Sequence, residues 1–212
     1  MATYSTGANG AFSGKLGSMI GSNWRSISYL KGLSRKSNKP ITEPQLAQRS
    51  KFALAPLYLS PIKDILNIGF KDKQLNKITG YNAAVKIFLN QAVIGDYPDY
   101  VIDFSKVVLS KGSLSVFHGL NANLQGSDLV LNWQSILNRY SSFIDDVLTV
   151  VLFNETKNLY LVYEEAQRNA LTYTAAIGDS FTGDVFHGWA FAVKRDDTTV
   201  SGSQYLGTFT IP

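Results

Sequence analysis

The second half of the chain carries the pattern that most restricts its fold. From Tyr100 onward, apolar residues recur with a period of two in short segments separated by turn-forming residues. This period places alternate side chains on opposite faces of a β-strand, and short polar turns such as 154–158 and 195–198 join strands into hairpins. The strand-like segments are residues 101–109, 114–117, 129–133, 147–153, 159–163, 170–176, 189–194 and 205–211. The pattern predicts a β-sandwich of about seven strands.

The region before Tyr100 predicts three helices. Residues 42–45, Thr-Glu-Pro-Gln, combine an N-cap, an acidic first turn, an early proline and a capping-box partner, so a helix should run from about Glu43 to Leu59. Ser and Pro at 60–61 repeat the start signal for a short helix ending near Gly69, and a third helix is expected over 81–92.

The first helix is expected to bury one apolar stripe. The predicted stripe consists of Leu46, Phe52, Ala53 and Leu57. The residues predicted to face outward are Gln48, Arg49 and Lys51.

Residues 7–31 are glycine-rich and predict a β-hairpin arm. Strands are expected near 15–20 and 24–31, with a turn at 21–23 where Gly and Asn tolerate positive φ. Few of these side chains are large enough to bury, so an isolated two-stranded arm would be unstable. The arm must therefore pack on its own body or on a neighbouring copy.

Residues 129–133, Leu-Val-Leu-Asn-Trp, place Trp133 near the end of an early strand. This order of strands resembles fibronectin type III modules, in which an early-strand Trp fills the centre of the sandwich. The expected fold class is α+β, with an N-terminal β-hairpin arm and small helical region over 1–98. An all-β, immunoglobulin or fibronectin III-like sandwich is expected over 99–212.

Two blocks near the N-terminus carry a second resemblance. Residues 10–17, GAFSGKLG, and residues 45–52, QLAQRSKF, match a Gly-x-Phe-Ser-Gly-Lys-x-Gly arm and a Gln-x-x-Gln-Arg-x-x-Phe helix. Both blocks resemble an uncharacterised family from Bacteroidota, in which Gly is common where Ala11 stands. The resemblance implies a domain of unknown function and brings no catalytic residues to carry over.

Composition excludes several classes of protein. An apolar fraction of 45% with 17% charged residues is typical of a folded chain, and the absence of cysteine excludes disulfides and thiolate metal sites. No stretch has the apolar length of a membrane helix, and no classical signal peptide is recognised. The expected location is therefore the cytoplasm, or the cell surface or a phage-like assembly reached by a specialised route.

Charge is distributed unevenly along the chain. Residues 1–80 carry twelve Lys and Arg against three acids, whereas residues 81–212 carry eight against thirteen. This asymmetry suits head-to-tail contacts between copies, a polyanionic partner, or a solvated basic face with no partner.

No catalytic, metal or cofactor site is predicted. His118 and His187 are the two histidines, no HExxH-like spacing is present, and both are expected at strand ends on the surface. The acidic pairs 145–146, 164–165 and 196–197 are interpreted as solvated turn charges because neighbours in a strand point to opposite faces. The residues near Lys15 have the wrong order for a phosphate loop.

The first functional hypothesis is a non-enzymatic structural subunit that self-assembles by strand addition through its glycine-rich arm into a filament, ring or appendage-like polymer. The residues predicted to form the assembly interface are Phe12, Leu16, Ile20, Trp24, Arg25, Tyr29 and Lys31. Arg25 and Lys31 are expected to face acids of the sandwich, namely Asp145, Asp146, Glu164 or Glu165. The alternative is a monomeric module that binds a protein or glycan through its sandwich loops. Nucleic-acid binding through the basic half ranks third.

Overall fold

The computed structural model describes residues 2–4, 10–24, 27–34, 40–71 and 78–212. Within them the chain is mostly β, with four sheets and three short helices. The chain forms two compact units, Met1–Thr42 and Glu43–Pro212. The sequence pattern predicts a boundary between residues 98 and 99, where the change from helices to strands occurs.

The first unit is a four-stranded antiparallel sheet. Its strands are β1 (Ala2–Thr3), β2 (Gly14–Leu16), β3 (Met19–Trp24) and β4 (Ile27–Gly32), in the order β1-β4-β3-β2. The turn between β2 and β3 falls at Gly17, whose φ of 58° is in the left-handed region that glycine tolerates. The predicted turn at 21–23 is wrong, because those residues pair with β4 inside β3.

The three helices begin the second unit. They are α1 (Glu43–Leu59), α2 (Lys63–Gly69) and α3 (Gly80–Gln91). The bounds of α1 are those that the sequence predicted, and α2 ends at the predicted glycine but starts later, after Ile62. Thr79 caps α3, and its hydroxyl oxygen accepts a hydrogen bond from the Asn82 amide at 3.2 Å.

The buried face of α1 differs from the predicted one. Ala55 and Leu59 are buried, whereas the predicted stripe residues Leu46, Phe52 and Leu57 are 41–54% exposed, and Ala53 is exposed as well. The prediction failed because α1 carries apolar residues on more than one face, and helical spacing alone does not identify the face that meets the core.

Nine strands complete the second unit. Val93–Ile94 (β5) and Val101–Ile102 (β6) form a two-stranded ladder. A three-stranded sheet contains His118–Gln125 (β7), Asp128–Gln134 (β8) and Thr172–Ala175 (β11), in the order β11-β8-β7. A four-stranded sheet contains Val147–Asn154 (β9), Leu159–Gln167 (β10), Val185–Val193 (β12) and Gln204–Thr210 (β13), in the order β10-β9-β12-β13.

The inner strand β9 is buried on both faces. Leu148, Val150 and Leu152 share one hydrophobic cluster with residues of the three-stranded sheet, including Trp133. The alternate residues share a second cluster with the helices; these are Val151 and Phe153. The helices therefore share a core with the four-stranded sheet, which explains why they belong to the same compact unit.

Two predicted strands are replaced by an irregular strap over residues 107–117. Val107 and Leu109 enter the cluster that contains helix residues, whereas Leu114 and Phe117 enter the cluster that the two sheets share. Backbone amides of the strap form hydrogen bonds outside the strand pairings of a sheet. For example, the Leu109 N–H donates to Ser203 Oγ at 3.0 Å. The apolar residues that suggested strands serve as separate anchors into two cores.

Strand β7 was not among the predicted strands. Leu120, Ala122 and Leu124 are half-buried and pack against the cluster that the two sheets share, and the asparagines between them are exposed. The period of two was present, but Asn is disfavoured in strands and masked it.

A buried ion pair fixes one end of the strap. Arg168 Nε lies 3.0 Å from Asp146 Oδ2, and both side chains are fully buried. The guanidinium also donates to the carbonyls of Ser115 and Val116 at 2.7 and 3.1 Å. The prediction that Asp146 is a solvated turn charge is therefore wrong, because the guanidinium supplies the partner that a buried carboxylate requires.

Replacing Asp146 by Ala should lower the free energy of unfolding by about 3–5 kcal/mol, because Arg168 is left as an uncompensated buried charge. Denaturant unfolding measures this loss. The control is Arg195→Ala, which removes an exposed pair with Asp145 at 3.7 Å and should cost less than about 1 kcal/mol. Equal losses in the two variants would contradict the assigned role of the buried pair.

Candidate interaction site

The N-terminal sheet presents a basic and aromatic face. Lys15 lies opposite Ile20, which lies opposite Lys31 across the three strands β2, β3 and β4. Residues two positions along a strand share a face, so Trp24 and Tyr29 lie on this side as well. We call Lys15, Ile20, Trp24, Tyr29 and Lys31 the basic face.

The opposite face is partly covered by Phe12. A Cβ added to Gly21 would lie 2.6 Å from the Phe12 ring, so the ring packs directly on the glycine backbone. The Tyr4 hydroxyl accepts a hydrogen bond from the Phe12 amide at 3.2 Å, and the two rings are 6.3 Å apart. Leu16 lies on this second face, because it pairs with Met19 and alternates with Lys15.

The N-terminal sheet buries few side chains. Among its described residues, Gly21 is the only one that is fully buried, and Ile20, Ile27, Tyr29 and Leu30 are half-buried. Four large apolar side chains are 38–63% exposed; these are Phe12, Leu16, Met19 and Trp24. A sheet normally buries at least one face against another layer, so this unit offers uncovered apolar surface on both sides.

A cluster of acids lies at the far edge of the four-stranded sheet. Strand β10 is the last strand of that sheet, and its register with β9 shifts between Tyr163 and Ala166. Glu164 and Glu165 fall in this bulge and are exposed. Asp128, on the neighbouring three-stranded sheet, completes the group that we call the acidic edge.

The acids of this edge act on two nearby tyrosines. Burial raises the pKa of Tyr163, and the carboxylates of Asp128 and Glu165 raise it further. Burial and Glu165 together raise the pKa of Tyr173 to about 12, and the Tyr173 hydroxyl donates to Glu165 Oε2 at 3.3 Å. Among the described residues, no carboxylate of the acidic edge has an ion-pair partner.

A rigid loop at residues 136–144 presents a second surface. The Asn138 side-chain oxygen accepts hydrogen bonds from the amides of Tyr140 and Ser141 at 2.9 and 2.7 Å. Tyr140 is 90% exposed at its tip, and three aliphatic side chains around it are 48–55% exposed. These aliphatic residues are Ile136, Leu137 and Ile144. Beside the loop lies a shallow cavity of about 430 Å³, lined by Phe143, Asp145, Lys194, Arg195 and Asp196.

The two histidines occupy different settings. His118 is exposed at the start of β7, as expected, but His187 is buried near the start of β12, so its predicted surface position is wrong. Its ring nitrogens lie 2.9 Å from the Tyr205 hydroxyl and 3.2 Å from Glu155 Oε2. The ring also stacks on Phe104 at 4.1 Å, which explains how an imidazole is accommodated in this core.

The comparisons with known proteins identify one family. The model of a family of unknown function, DUF6266, matches residues 11–207. The chain belongs to this family. The expectation of an uncharacterised domain is thereby confirmed, whereas the source in Bacteroidota stays a prediction.

Other comparisons add little to the DUF6266 assignment. No curated protein matches the chain. One solved structure that resembles it is "Twitchin kinase region from C.elegans (Fn31-NL-kin-CRD-Ig26)", at 12% sequence identity and a TM-score of 0.33. The match covers 46% of this chain and 17% of that chain. A likeness this weak supports no inference about the DUF6266 chain.

The DUF6266 structure separates the predicted interface residues. Ile20, Trp24, Tyr29 and Lys31 lie together on the basic face, whereas Phe12 and Leu16 lie on the other side. Arg25 lies outside the described residues. Their role in assembly stays a prediction.

Two features of the surface were not found from the sequence. The sequence contains one sign of the 136–144 loop that could have been used, since apolar residues occur there outside any predicted strand. Asp128, at the start of the middle strand β8, and Glu165, on β10, come near the same tyrosine, Tyr163, only in the folded chain, and no local pattern encodes this. Among the described residues, no helix has the length and apolar character that a membrane span requires. In that same part of the chain, no group of three or more His, Cys, Asp or Glu residues is placed to hold a metal ion.

Replacing Gly21 by Ala should destabilise the N-terminal sheet by about 1–3 kcal/mol, since the new methyl displaces the Phe12 ring. Hydrogen exchange should show faster exchange of the Phe12 amide. Gly32→Ala is the matched control, because a Cβ there meets no atom within 4 Å. The packing of Phe12 on Gly21 would be refuted if both variants exchanged alike.

Proposed function

We propose that this protein is a non-enzymatic structural subunit that self-assembles through its N-terminal sheet. The observation that carries the proposal is the lack of burial in that sheet, in which Leu16, Met19 and Trp24 are 45–63% exposed. Apolar residues exposed on both faces of a sheet favour association with another surface. The assembly takes the form of a filament, ring or appendage-like polymer.

The charge distribution supports contact between copies. The N-terminal sheet carries Lys15 and Lys31 on one face, and the region from residue 81 onward carries a net charge of −5. Opposite charges on different parts of one chain favour head-to-tail contacts, and such contacts give closed rings or open filaments.

We also propose that the body is an immunoglobulin or fibronectin III-like sandwich. Two sheets contribute to one cluster, in which Leu129 and Leu131 of β8 join Leu148 and Val150 of β9. Trp133 is buried in the same cluster and donates its indole N–H to the Arg168 carbonyl at 2.8 Å. Such a body is a rigid platform for an assembling element.

The alternative function is a monomeric module that binds a protein or glycan through its loops. It is favoured by the 136–144 loop, whose Tyr140 is 90% exposed on a backbone that Asn138 holds in place. Rigid, exposed aromatic side chains are typical anchors of binding surfaces. A sharp monomer at high concentration would favour this alternative.

Removing residues 1–42 should convert the assembly to monomers without unfolding the body. Both hydrophobic clusters consist of residues from position 54 onward, so the truncated chain retains its core. Light scattering and negative-stain imaging of both chains give the masses and shapes. A point variant, Trp24→Ala, should weaken assembly in the intact chain, and Leu33→Ala, an exposed residue outside the strands, is its control. Unchanged assembly after truncation would overturn the proposal.

Replacing Asn138 by Ala should loosen the 136–144 loop, because two backbone amides lose their acceptor at a cost of about 1–3 kcal/mol. Hydrogen exchange of the Tyr140 and Ser141 amides should become faster. Tyr140→Ala is the control, since it removes the ring and leaves the Asn138 hydrogen bonds in place. If exchange does not change in the Asn138 variant, the loop is ordered by other contacts.

A further inference from the structure

The acids available to a basic partner are fewer than the sequence suggested. Asp146 is fully buried against Arg168, and Asp145 lies 3.7 Å from Arg195. Of the four acids expected to face Arg25 and Lys31, Glu164 and Glu165 are the two without an ion pair among the described residues. The structure adds Asp128 to them at the acidic edge.

The acidic edge also has unoccupied main-chain positions. Strand β10 pairs with β9 on one side and is the last strand of its sheet on the other. Within the described residues, no third strand of that sheet pairs with β10. An edge strand of this kind offers N–H and C=O groups that an added strand satisfies.

The negative charge of the acidic edge determines which strand of a second copy can pair with β10. Two copies of the acidic edge repel one another, so pairing of β10 with β10 is disfavoured. The basic face has Lys15 on β2, the edge strand of its own sheet, and Lys31 two strands away. If β2 is the strand that is added, it brings Lys15 to the bulge that contains Glu164 and Glu165.

We propose that the acidic edge of one copy is the docking surface for the basic face of a second copy. This inference rests on the proposed function, and it identifies the surface that the N-terminal sheet of another copy contacts. The contact joins two different surfaces, so each copy donates one and accepts one, and the assembly grows head to tail.

Reciprocal charge reversal in the full-length chain tests the inference. Glu164→Lys with Glu165→Lys should weaken self-association by about tenfold or more, and so should Lys15→Glu with Lys31→Glu. Sedimentation velocity at low salt measures both. A one-to-one mixture of the two double variants should restore assembly, because each then meets a surface of opposite charge on the other.

Matched variants separate this contact from a change in net charge. Asp96→Lys with Asp99→Lys, and Lys86→Glu with Lys111→Glu, make the same charge changes at exposed positions elsewhere. Both double variants should leave the strength of self-association within about twofold of that of the wild type. Circular dichroism of every variant checks that the fold is retained.

Three outcomes would overturn the inference. Stronger association of the Glu164 and Glu165 variant would mean that the acids merely protect the edge from aggregation. Dissolution of the wild-type assembly by nuclease would mean that the basic face binds nucleic acid. Loss of assembly on removal of residues 1–42 but not on charge reversal would leave the proposed function intact and place the acceptor elsewhere.

A direct contact is tested by cross-linking. The chain has no cysteine, so Lys15→Cys in one copy and Glu164→Cys in another introduce one thiol each. Oxidation of the mixture should give mainly the mixed disulfide dimer, and Asp99→Cys in place of Glu164→Cys should give at least about tenfold less. Equal yields from the two mixtures would refute the proposed contact.

Discussion

The fold depends on the burial of β9 from both sides. Its alternate residues enter two different hydrophobic clusters, one shared with the helices and one shared with the three-stranded sheet. The adjacent strand β12 contributes to both clusters as well, with Trp189, Phe191 and Val193 in the cluster of the helices and Phe186, Ala190 and Ala192 in the other. Two-sided burial of the inner strands β9 and β12 therefore joins the helices and both sheets in a single unit, although their sequences differ in period.

The buried Arg168 group holds the irregular part of this unit. One guanidinium contacts Asp146 and two carbonyls of the strap, and it lies 4.5 Å from the Phe117 ring. A segment that is not paired in a sheet needs other hydrogen-bond partners for its backbone polar groups, and the guanidinium donates to two of its carbonyls. The strap can then place apolar anchors in two cores while its backbone remains satisfied.

Prediction from the sequence succeeded where a pattern is local. The bounds of α1 and the strands β8, β9 and β13 follow from capping signals, alternation and apolar content. The burial of Trp133 was implied by the resemblance to fibronectin type III modules. It failed where distant residues decide the outcome. The buried face of α1 depends on which layer lies beside it, and the burial of Asp146 depends on an arginine 22 positions away. The basic face was predicted in part, since its residues alternate along β3 and β4, but the acidic edge arises only when two sheets meet.

The two-sided burial of β9 also has a consequence for the unfolded chain. Residues 147–153, Val-Leu-Thr-Val-Val-Leu-Phe, contain no charge and no proline. A segment of this composition, once exposed, is prone to pair with copies of itself in amyloid-like stacks. Asp145 and Asp146 precede it directly and Glu155 follows soon after, so charges stand at both of its ends as gatekeepers. A strand that is central to the folded body is thus also a segment whose release during synthesis or unfolding carries a risk of aggregation.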